Sequence, residues 1–127
     1  MAVIDLGDSI LKTIKKLIGP SLDYDYFDND LIIHINSAFS VLNQLGLGSD
    51  DTFAITGESE TWQDFLGTDK KFLEMVKTYI YLKVKVTFDP PTSSFVLEAY
   101  NKQIAELEWR INIAVDPKYT SGDSTNG

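Results

Sequence analysis

Apolar residues recur along this chain at spacings of three and four, the pattern of helices that bury one face. In "DSILKTIKKLIGP", Ile10, Ile14, Leu17 and Ile18 form such a stripe, and Lys12, Lys15 and Lys16 lie mostly off it. Ser9 or Asp8 supplies a cap, since a short side-chain oxygen accepts a bond from an orphan backbone N–H. Gly19 and Pro20 end the segment, glycine by permitting a left-handed turn and proline by refusing the next helical bond. In "DNDLIIHINSAFSVLNQLGLG" the stripe is Leu31, Ile35, Ala38, Leu42 and Leu45, widened by Ile32, Phe39 and Val41. Asp28, Asn29 and Asp30 put caps and negative charge where the helix dipole favours them. Gly46 is the expected stop.

A third long helix is predicted over "DKKFLEMVKTYIYLKVKVTF", with Phe72, Val76, Tyr79, Ile80 and Val84 along one side. Its end, "YLKVKVTF", alternates and is β-branched, a strand-like composition. The helical period runs into it with no turn signal, which decides for helix. The chain then reaches Asp89, Pro90 and Pro91. A residue before proline is pushed out of the α region, so the helix stops at Asp89. Thr92, Ser93 and Ser94 offer caps for a last helix, whose seam is Leu97, Tyr100, Ile104, Leu107 and Ile111. This narrow seam suits antiparallel packing on the preceding helix. Glu98 with Lys102, and Glu106 with Arg110, are spaced for supporting ion pairs.

Between the second and third long helices the chain is rich in glycine, serine, threonine and acids. "TFAIT" reads as a short strand or an extended arm that pairs with a neighbour. "TWQDFLG" reads as a short helix capped by Thr61 with Asp64 three residues on, Trp62 and Phe65 pinning it to the body. Residues 116–127 are polar and are expected to form a flexible C-terminal tail. The expected fold is mainly α. It is a small helical bundle with a long antiparallel hairpin, an extended loop or arm at about 46–61, and the tail. Residues 1–115 form its one helical domain.

Composition narrows the chemistry more than it extends it. The chain has 127 residues, no cysteine and one histidine. A chain of this length buries enough surface to fold without disulfides or a metal. No apolar run reaches the length of a bilayer span, and the start has no signal-peptide character. The absence of cysteine removes disulfides, thiolate–zinc sites and thiol nucleophiles. His34 has only Asp30, Leu31, Ser37 and Ala38 at helical spacing, which makes no metal or catalytic set. The acid pairs Asp50–Asp51 and Glu58–Glu60 sit in a loop. Glu106 and Glu108 point to different sides of a helix, so none forms a hydrolytic pair. "GLGSDD" lacks the third glycine and the preceding strand of a dinucleotide site. No catalytic residue, cofactor or metal is expected. The net charge of −8 disfavours broad phosphate binding; it suits a surface past which DNA slides and equally suits plain solubility, the commoner reason. Tyr81 and Trp109 lie off their helical stripes, which marks them as interface candidates.

From Tyr79 to Ile113, "YIYLKVKVTFDPPTSSFVLEAYNKQIAELEWRINI" resembles the tailed-phage head–tail connector, or adaptor, family. "INSAFSVLNQLGLG" and "WQDFL" fit the same resemblance, which spans roughly residues 8–115. The most specific element is Phe88-Asp89-Pro90-Pro91-Thr92 with the helix through Glu106, Leu107, Glu108, Trp109 and Arg110. The resemblance implies a virion structural protein, made in the host cytoplasm, that forms a homo-oligomeric ring, usually of twelve copies. The ring would sit beneath the portal protein and above the next tail-side connector or stopper. It would continue the channel used in DNA packaging and ejection, touching DNA in passing, with no membrane involved. A docking tail would then use Ile113, Val115, Pro117 and Tyr119. Subunit contacts would use Tyr81, Trp109, Phe53 and Ile55. Asp50, Asp51, Glu58 and Glu60 would face the lumen. The alternative is a small DNA-binding or regulatory protein with a helix-turn-helix around Gly19-Pro20. Against it, the second helix opens with acids that repel phosphate.

Overall fold

Five helices account for the ordered core of the computed structural model, which describes residues 5–19, 24–48 and 52–115. The first, α1 (Ile10–Ile18), is capped by Ser9, whose Oγ accepts from the N–H of Lys12. Helix α2 (Asp28–Gln44) begins without a side-chain cap; its two first-turn acids act on the dipole instead. The short α3 (Trp62–Leu66) has the expected capping box between Thr61 and Asp64. Helix α4 (Leu73–Phe88) stays helical to its end, so the β-branched "YLKVKVTF" follows the 3.6-residue period and not the alternation. Helix α5 (Ser94–Val115) follows the proline corner, and Ser93 caps it by accepting from the N–H of Val96.

The corner reverses the chain. Asp89 leaves the α region, with φ −145° and ψ 67°, as a residue before proline must. Lys85 Nζ donates to Asp89 Oδ2 at 3.0 Å, closing the last turn of α4. Farther from the corner, the Tyr79 hydroxyl donates to Glu108 Oε2 at 2.7 Å, so α4 and α5 run antiparallel as a hairpin. Helix α4 is the hub, with α1, α2 and α5 all packed on it.

Two ends of the bundle differ. At one end α1 finishes beside the start of α2, where Lys15 Nζ lies 2.8 Å from Asp28 Oδ1. Phe27 at that end meets Phe88 edge-on at 5.4 Å, which joins the start of α2 to the end of α4 and to the corner. At the other end the start of α1 pairs with the entry to α3. Ser9 and Thr61 form an antiparallel bridge, Ile10 N–H donates to the Glu60 carbonyl, and Trp62 N–H donates to the Asp8 carbonyl. Trp62 is fully buried, and its indole N–H donates to Thr13 Oγ1 at 3.2 Å. An aromatic trio, Phe39, Phe53 and Phe65, seals the core there.

The segment expected as a free arm is stapled to the body. Asn36 on α2 receives the N–H of Ile55 on its Oδ1 and donates its Nδ2 to the Ile55 carbonyl. One side chain thus does what a neighbouring strand would do, so 53–56 is extended without being part of a sheet. Leu17, expected on the buried stripe of α1, is 40% exposed, because the helix turns Ile10, Leu11 and Ile14 inward in its place.

Candidate functional site

Among the described residues no group of His, Asp or Glu side chains is placed to hold a metal ion. His34 packs its ring against Phe88 at 6.3 Å, a structural setting. What the fold builds instead are surfaces, and they come from three places.

The first is the outer face of α5. Only Ile104, Leu107 and Ile111 of its 22 residues are buried, so most of the helix is open. Phe95 is 79% and Trp109 63% exposed. Seven-residue spacing twice over, through Lys102, puts both aromatics on one side of the helix. Trp109 therefore lies where its off-stripe position predicted. Tyr81, chosen on the same ground, is half-buried and packed against the core. Phe95 escaped the sequence reading, although it too lies off the seam and the rule that found Trp109 finds it. Of the two expected ion pairs on this helix, Glu106 and Arg110 approach at 4.0 Å, whereas Glu98 pairs with no cation among the described residues.

The second is the loop before α3. Ile55, expected at a subunit contact, is 2% exposed and belongs to the chain's own core. Alternation points it inward, and Asn36 occupies its backbone groups. Phe53 is half-buried beside Phe39 and Phe65. Glu60 braces the loop by accepting from the N–H and hydroxyl of Thr56 and the N–H of Gly57. Burial raises the Glu60 pKa, but the bonds from the Thr56 side chain and from the backbone outweigh it and hold the carboxyl below its ordinary value. Glu58 is exposed and lies 3.9 Å from Lys12. Asp50 and Asp51 lie outside the described residues, as do Pro117 and Tyr119. Ile113 and Val115 are half-buried at the end of α5, where Val115 faces Gly46.

The third is a cleft of about 260 Å³ lined by Lys12, Lys15, Lys16 and Glu58. Lys15 is 7% exposed, a rare burial for lysine, and its partner is Asp28. At 2.8 Å the ammonium and the Asp28 carboxylate form a close, largely buried ion pair. The sequence marked these lysines as a solvated face; the signal for the cleft was their shared side of α1, visible only once Glu58 arrives from the loop.

Elsewhere, groups with shifted pKa values serve the fold. Burial, then the bond to Glu108 and its charge, pushes the Tyr79 phenol well above its ordinary range. The bond to Asp89 raises Lys85 against the opposing effect of burial. The N–H of Leu6 and the ammonium of Lys70 lower Asp5.

The described residues form a helical body with a packed interior and a last helix that is open along most of its surface. A sequence profile of the phage connector proteins matches residues 10–118, and this chain belongs to that family of structural proteins. Comparison with curated proteins and with solved structures found no match in either. Among the described residues no helix is long and apolar enough to cross a membrane.

Proposed function

We propose that this protein is a head–tail connector, the adaptor that forms a ring of twelve copies beneath the portal of a tailed phage and continues the DNA channel toward the tail. The family match over residues 10–118 carries the reading. The open α5 face supports it, because a ring subunit must keep part of its apolar surface for its neighbours. The charge of −8 is also what a channel wall needs if DNA is to pass without sticking. In this reading the protein acts in the virion at the head–tail junction after assembly in the host cytoplasm. Its partners are its own copies, the portal and the next tail-side protein, with passing contact to DNA.

The finer assignments follow from the same reading. The carboxy-terminal segment, residues about 114–127, docks on the portal with Ile113, Val115, Pro117 and Tyr119 as its anchors, largely by backbone pairing and small contacts. Asp50, Asp51, Glu58 and Glu60 line the lumen. Trp109, with the exposed edge of Tyr81, contributes to contacts between copies. The test is to mix the purified protein with portal and measure the mass of the complex. A portal-bound multimer supports the reading. Two equally informative truncations are removal of residues 116–127, expected to abolish portal binding, and Trp109→Ala, expected to weaken it through the ring.

A further inference from the structure

Two exposed apolar side chains each stand beside a charge of opposite sign. On α1, Leu17 is 40% exposed next to Lys16. The cleft there is lined by Lys12, Lys15, Lys16 and Glu58; Lys15 is taken by Asp28 and Lys12 lies near Glu58, whereas Lys16 pairs with no carboxylate among the described residues. On α5, Phe95 is 79% exposed, one turn before Glu98. The other acids of that helix are engaged, Glu106 with Arg110 and Glu108 with Tyr79, but Glu98 has no partner among the described residues.

The fold keeps these two patches on separate helices toward one end of the bundle. Both lie at the same end of the bundle, through the chain of contacts Lys15–Asp28, Phe27–Phe88 and the corner. They sit on different helices, each packed on α4. A head-to-tail interface needs two different patches at equal height. It also needs local attraction, because whole copies at −8 repel one another. We propose that the start of α5 on one copy docks on the lysine cleft of the next, Glu98 meeting Lys16 and Phe95 covering Leu17. This rests on the ring reading and names the surfaces that close the ring. A single surplus positive charge is too little for a track of DNA phosphates, so a carboxylate from a second copy is the better occupant.

The test is charge exchange on the full chain. Lys16→Glu and Glu98→Lys are both at exposed positions, and circular dichroism checks that each variant folds. Sedimentation, alone and with portal, should show each single variant associating at least about tenfold more weakly than the parent. The double variant K16E/E98K should recover association. Single variants that assemble like the parent, or a double variant that does not recover, overturn this pairing and leave the ring reading standing. A parent chain that stays monomeric with portal overturns both. Retardation of a short DNA duplex by the parent and its loss in K16E would make the cleft a phosphate site and overturn the pairing.

Discussion

At the scale of single residues, the tightest constraint is at Gly48. Its φ of +96° is one that residues with a side chain rarely adopt, and a Cβ there would come 2.6 Å from Phe65 Cε1. Phe65 is 1% exposed and held among Phe39 and Phe53, so it cannot retreat. Gly48→Ala should therefore destabilise by more than about 1 kcal/mol, which urea unfolding would measure. Tyr79 gives a second prediction, with a definite sign. Its pKa is raised above the ordinary 10.0 by burial first and by Glu108 next. Below that ordinary value both states hold the proton and its contribution to stability is intact. Above it the unfolded chain loses the proton and the folded chain keeps it, so stability falls by about 1.4 kcal/mol per pH unit. Tyr79→Phe should cost about 1 kcal/mol at neutral pH and should flatten the alkaline decline. Unfolding midpoints of parent and variant, compared between about pH 8 and about pH 11, would check it.

Elements tell more about what a sequence can reveal. The corner was legible because it is local: two prolines and three hydroxyl caps act within a few residues, and Asp89 and Ser93 do what their positions require. The α3 capping box was legible for the same reason. Helical period also settled the end of α4 correctly against a strand-like composition, since burial of Tyr79, Ile80, Leu82 and Val84 on α4 rewards the helix. The arm was not legible. Its free-strand look depends on residues 53–56 alone, whereas its fate is decided by Asn36, 19 positions before Ile55. A polar residue between Ile35 and Ser37 on α2 gives no sign that it will hold another segment's backbone. The exposure of Leu17 was hidden likewise, because periodicity assigns a face and only packing says how wide that face is; Phe95, off its helix's seam, was legible by the rule that found Trp109. Asn36→Ala removes both bonds to Ile55 and should cost about 1–3 kcal/mol by leaving backbone groups near the core unpaired. Amide exchange should rise at Ile55 while the α4–α5 hairpin stays protected.

At the scale of the whole molecule, no helix pair accounts for the design by itself. Helix α4 collects the core, and α5 is held along only part of its surface, with Phe95 and Trp109 left to solvent. The acidic charge adds long-range repulsion between copies, so in the connector reading assembly is driven by specific contacts or by a template. The portal is the natural template in the connector reading, and association should strengthen in its presence. Moderate salt should screen the general repulsion and also the Lys16–Glu98 attraction, with the balance shown by the variants. The central claim, that this chain is a ring-forming connector, is tested most directly by the mass of the complex formed when the full-length protein is mixed with portal. The account predicts one species carrying about a dozen copies per portal ring. A protein that remains a monomer beside unchanged portal, at every concentration tried, would contradict it.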